Sequence, residues 1–386
     1  MRDRVDGRLT GAFALVIASS VASLAATGCA VEGGGLDLGA EDDGGSVPSP
    51  PRDDARSPPH DDAYVHDSGG RGDAGPGRDS GAHDSGPGPG RDDAPASSDT
   101  GGPGADSAPP PPPPDDAGPT GGCYRETYHP TVALDDLVSA YSSAKWLETS
   151  LEVLARRYPS GHFILDTEKA DPQLPGFAAT GSFDALMESL MTMCHEETHG
   201  YDYEHAGAGD HAYTMGDGMI VHVPVGKTFP RSEVLALITD GSTSLYDDTY
   251  LKGSMGSYDF ADMNDELNAY TNGLACLTTV QEHETSGISA RDGSVAHILY
   301  LQLYLRIARA SHPDVYSFLQ GDPSWMKFVK YAWAREFFWD AQAKPYPSLS
   351  IGADAIWAHV NEAANLDEIR RFTGREPADV ACHPEL

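Results

Sequence analysis

The stretch SFDALMESLMTMCHEETH, residues 182–199, decides how the folded part of this chain is read. Ser182 is a helix-capping residue type, and Phe183, Leu186, Leu190, Met191 and Cys194 then recur at helical spacing. One flank of the predicted helix is therefore buried, with Thr192, His195 and His199 beside it on a more polar strip. Four positions separate His195 from His199, so both imidazoles share a face and can grip one divalent cation. Glu196 lies about a quarter of the way round the helix, where it reaches a water on that cation. Gly200 follows at once, and Gly207, Gly209, Gly216 and Gly218 predict irregular chain soon after.

Outward from this helix, residues 211–215 and 219–225 flank Gly216-Asp217-Gly218 as in a β-hairpin, and Ile164 with Leu165 predicts a further strand. A small sheet is thus expected both before and after the helix. Another helix is expected from Arg231 to Ile238. Asp262-Met263-Asn264-Asp265-Glu266 opens a longer one, capped by Asp262, that runs to about Val280 and places Glu266, Tyr270 and Gly273 on one face. Residues 294–310 are almost uniformly apolar, yet too short and too polar for a bilayer, which predicts a core helix. Asp322-Pro323 starts a helix carrying Trp325, Phe328, Trp333, Phe337 and Trp339, aromatics that belong in a core. One more helix is expected near residues 354–365. The fold class is α+β, mostly helical with a small β-sheet.

HEETH fits the HExxH signature of zinc peptidases. HEETHG together with Asp265-Glu266-Leu267-Asn268-Ala269-Tyr270 resembles the gluzincin class of metallopeptidases, in which a glutamate on a separate helix completes the metal site. The resemblance implies a zincin-like domain, Zn2+ held by His195, His199 and Glu266, Glu196 as general base and a peptide or protein substrate. Where one gluzincin group has an aspartate four residues after its glutamate ligand, this chain has Tyr270, expected to support a ligand through a hydrogen bond. The rival third ligand is His205, at metzincin spacing from His199. That family, however, turns sharply at a glycine where this chain has Asp202, while Met255 could stand in a metzincin-type methionine turn. Tyr258, Tyr270 and Tyr213 are candidate oxyanion donors. Of the other histidines, His162, His222, His283, His297, His312 and His359 read as structural, His222 being the one close to the hairpin. A second function class stays open: a non-catalytic surface binding or adhesion module with a structural or vestigial zinc site.

The rest of the 386 residues says where such a domain works. Arg2, Arg4 and Arg8 precede an apolar stretch to Ala26, so residues 1–28 read as an export signal. Ala26-Thr27-Gly28-Cys29 resembles the lipobox of bacterial lipoproteins, with Ala26 where leucine is usual; this implies lipidation of Cys29. Residues 29–121 are Gly, Pro, Asp and Ser with almost no large apolar side chain, a composition that cannot offset its ordering entropy and predicts a disordered tether to a domain at 122–386. The expected location is the cell envelope, as an outer-membrane lipoprotein or at the cell surface, with membrane contact only through Cys29. The net charge of -33 excludes nucleic acid as a partner class. Cys123, Cys194, Cys276 and Cys382 make an even set that allows three disulfide pairings. Cys123 with Cys382 would join the ends of the domain, and Cys194 with Cys276 would link the two site helices.

Overall fold

The structure, a computed structural model, describes residues 122–284 and 287–386. The export signal, Cys29 and the tether lie outside the described residues. Eleven helices frame the domain: α1 (Asp135–Ala140), α2 (Trp146–Arg157), α3 (Pro159–Glu168), α4 (Phe183–His205), α5 (Phe260–Thr278), α6 (Ala290–Ser311), α7 (Pro313–Gly321), α8 (Pro323–Ala343), α9 (Ala353–Val360), α10 (Ala363–Thr373) and α11 (Pro377–Cys382), besides short helical turns. Two strands, β1 (Asp210–Thr214) and β2 (Ile220–Pro224), form an antiparallel hairpin with Tyr213 opposite Val221. The expected α+β class, mostly helical with a small sheet, is what the chain adopts.

Local chemistry accounts for several element starts and for the hairpin turn. Ser182 caps α4, its hydroxyl accepting from the Ala185 amide at 3.1 Å. Asp322 caps α8 ahead of Pro323. The hairpin turns through Gly216, Asp217 and Gly218, all at positive φ, where glycine carries no steric penalty. Four expectations need correction. Ile164 and Leu165 lie in α3, not in a strand: Pro159 starts a helix there and both side chains are buried on it, so no strand precedes α4 among the described residues. The cap of α5 is Asp259, with Asp262 as the returning member of a capping box. Residues 354–365 are split between α9 and α10, and 231–237 form a 3-10 helix.

Helices α4 and α5 pack at the centre, with α6 and α8 against α5. Buried α6 runs from Ala290 to Ala308 with only Arg306 partly exposed, and Trp325, Phe328, Trp333 and Trp339 of α8 are core. Met191 lies against Gly273, Cys194 bonds Cys276, His199 meets Asp265 and Asp202 meets Asn268, so α4 and α5 run antiparallel. A Cβ on Gly273 would sit 2.8 Å from the Met191 carbonyl oxygen, which makes the close approach dependent on glycine. Disulfides Cys123–Cys382 and Cys194–Cys276 are the two bridges, and such bridges fit an oxidising compartment. No helix among the described residues is long and apolar enough to cross a membrane.

A buried polar network ties the N-terminal segment to this core. Arg335 of α8 pairs with Glu126 at 2.6 Å and donates to Asn268 and Asn272 of α5 at 3.1 and 2.9 Å. Tyr158 donates to Glu126, while Asp202 of α4 accepts from Asn268 and from the Thr214 amide of β1. Arg335 and Glu126 have almost no side-chain exposure, so removing one partner strands a buried charge. Arg335→Met is expected to lower unfolding free energy by about 3 to 5 kcal/mol in denaturant titration, with part recovered by adding Glu126→Gln.

Candidate metal centre

Two helices supply the site. The polar strip of α4 presents His195 and His199, and α5 presents Glu266 opposite them, two turns after its cap. The two Nε2 atoms are 3.2 Å apart, and Glu266 Oε2 lies 3.7 Å from His195 Nε2 and 3.6 Å from His199 Nε2. A cation about 2.0 to 2.2 Å from three tetrahedrally disposed donors would hold them about 3.4 Å apart, close to all three edges. Glu266 Oε2 is buried and accepts no hydrogen bond, an orphan that a cation in this triangle would satisfy. His195, His199 and Glu266 could therefore hold a metal ion.

Asp265, unnoticed as a site residue in the sequence, completes the arrangement. Its Oδ2 lies 2.7 Å from His199 Nδ1, which directs that ring's Nε2 toward the triangle. The only sequence signal for it is its place immediately before Glu266. The charges divide accordingly. Burial drives the His195 imidazole down to about 3, with His199 adding to the effect and Glu266 opposing it. For His199 burial opposes the charge, but Asp265 and Glu266 more than compensate and hold it well above the ordinary imidazole range. Glu266 is opposed by burial and yet lowered to about 2 by the neighbouring imidazoles, His199 foremost. Half-buried Glu196 is raised by burial, with His199 opposing and Glu266 adding.

The remaining candidates fall in different places. His205 stays on α4, which continues through Gly200 without a break; its ring stacks on Tyr201 and its Nδ1 lies 2.7 Å from the Tyr201 carbonyl. The expected irregular chain begins only after it, because no residue before Ala206 leaves helical geometry. His205 is thus no part of the triangle, and Asp202 is a helix residue serving the hairpin rather than a turn. Tyr270 does not hydrogen bond a ligand as expected. Its hydroxyl pairs with Tyr250 at 2.8 Å, and its ring packs edge-on to His195 at 4.5 Å. Tyr213 spends its hydroxyl on the Ala261 carbonyl within the core. Tyr258 is 40% exposed, and His222 pairs with Asp210 on the hairpin. His297, read as structural, is buried with its ring stacked on Tyr270 and its Nε2 unpartnered.

Comparison with family models, curated proteins and solved structures gives no match to this chain. Because Asp265 and Glu266 hold the His199 imidazole above its ordinary range, uptake of metal at neutral pH is expected to release a proton, and affinity to fall as pH falls. Calorimetry in two buffers of different ionisation enthalpy measures the proton. Asp265→Asn should weaken metal binding by roughly 10- to 100-fold.

Proposed function

We propose that the protein is an exported, gluzincin-like zinc metallopeptidase. The observation that carries this reading is the triangle of His195 Nε2, His199 Nε2 and Glu266 Oε2, three donors with edges of 3.2 to 3.7 Å and a carboxylate, Glu196, adjoining them on α4. Two imidazoles and one carboxylate are one of the donor sets of catalytic zinc, which leave a fourth position for water or substrate. When bound there, zinc supplies Lewis acidity to a water and to the scissile carbonyl.

The chain's own residues divide the remaining work. His195 and His199 are kept four residues apart on one rigid helix, and Asp265 fixes the His199 ring so that its Nε2 faces inward. Glu196 takes the proton from the attacking water as oxygen bonds to the carbonyl carbon, and returns it to the amine nitrogen as the C–N bond breaks. Its raised pKa suits both halves of that exchange, since a carboxylate of ordinary acidity holds the proton less well. Tyr270 and Tyr250 act as packing that holds the His195 ring, not as proton carriers.

The two disulfides support export. Lipidation at Cys29 would leave the domain on a long hydrated tether at the cell envelope, with the anchor as its membrane contact. Partition into detergent should be lost in Cys29→Ser; unchanged partition contradicts the anchor.

Glu196→Gln keeps the shape of the side chain and removes the base. The expected result is full zinc content with peptide hydrolysis reduced by 100-fold or more, within about the range of general-base contributions. Undiminished hydrolysis in that variant contradicts the assignment.

A further inference from the structure

Arg231 is a buried cation with one of its three side-chain nitrogens hydrogen-bonded. It opens the 3-10 helix Arg231–Leu237 and has no exposed surface. Its Nε donates to the Met255 carbonyl at 2.9 Å and its backbone amide to the Tyr258 carbonyl at 2.7 Å. Both Nη atoms are buried without a hydrogen-bond partner, and among the described residues no carboxylate pairs with the guanidinium. Two aromatic rings flank it, Tyr250 at 5.6 Å and Tyr258 at 5.2 Å from the guanidinium carbon. Such cation–π contacts offset part of the desolvation but leave the in-plane donors empty.

Two tyrosines link this cation to the metal triangle. Tyr250 bonds the Tyr270 hydroxyl at 2.8 Å, and the Tyr270 ring lies 4.5 Å from that of His195. Burial draws the guanidinium pKa down, and of the charges that resist this Glu266 is the strongest. Buried donors left unmade are costly, and few are found without a purpose. The partner that suits two parallel N–H groups in one plane is a planar, singly charged oxyanion, and beside a peptide-cleaving centre the group of that kind is the carboxylate ending a polypeptide.

We propose that Arg231 anchors the free C-terminal carboxylate of the substrate, so that the centre acts on peptides near their C-terminus. The inference rests on the peptidase reading for its substrate class. The carboxylate lies in the guanidinium plane and accepts from the two Nη atoms. Tyr250 and Tyr258 flank it, and Tyr258, 40% exposed, is the flank that reaches solvent.

The test compares a blocked tetrapeptide ending in a free carboxylate with its C-terminal amide, on the zinc-loaded full chain, by equilibrium binding and by hydrolysis. The acid should bind roughly 10- to 100-fold more tightly, the range of charge-assisted hydrogen bonds. In Arg231→Gln the acid-to-amide ratio should fall toward one, and Arg231→Lys should retain part of it; zinc content and thermal melting confirm that each variant is folded. Equal binding of acid and amide by the unaltered protein overturns the inference with no variant needed, as does binding of neither, or an unchanged ratio in folded Arg231→Gln. Preferential binding of the acid with neither peptide cleaved sustains the anchor and removes the peptidase reading. Cleavage of both peptides without preference does the opposite.

Discussion

The antiparallel contact between α4 and α5 is the constraint on which the site depends. Neither helix carries a metal site alone: α4 offers two imidazoles and α5 one carboxylate, and only their mutual height brings the three donor atoms within 3.7 Å. Gly273 permits the approach at the level of Met191 and His195, and the Cys194–Cys276 bridge fixes the register beside it. Asn268 and Asp202 hold the other side of the same interface. A slide of one helical turn would separate Glu266 from both nitrogens by about 5.4 Å.

Burial turns that geometry into chemistry. Three ionisable groups packed in a space with little water cannot all keep solution behaviour, so His195 is driven neutral while Glu266 remains ionised beside His199. Two acidic neighbours, Asp265 and Glu266, concentrate negative charge on His199, and a divalent cation answers that charge better than a single proton does. The same low exposure reaches Arg231 and His297, which keep unpartnered nitrogens behind Tyr250 and Tyr270. The neighbourhood is a buried polar cluster within an apolar helix bundle.

Much of this was legible along the chain because it is local. The Ser182 cap and the apolar spacing behind it fix a helix, and i to i+4 histidines on any helix share a face. Gly216-Asp217-Gly218 announces its turn through backbone chemistry alone. The misreadings have physical causes. Ile164-Leu165 is an apolar pair without a period of its own, and Pro159 five residues earlier decided the helix. Gly200 reads as an ending, but with α4 packed on α5 the helix tolerates it and continues to His205, which keeps that histidine out of the triangle. Asp265, Arg231 and the Glu126–Arg335 pair have no sequence period, since each is defined by a partner far along the chain.

The central claim is that one cation is gripped by two imidazoles from α4 and one carboxylate from α5. Zinc-edge X-ray absorption on the purified, metal-loaded chain tests it most directly. The account predicts one zinc per chain with nitrogen and oxygen neighbours only, at about 2.0 to 2.2 Å, two of them showing imidazole multiple scattering. A sulfur neighbour near about 2.3 Å, a single imidazole, or an environment unaltered by Glu266→Ala would contradict it.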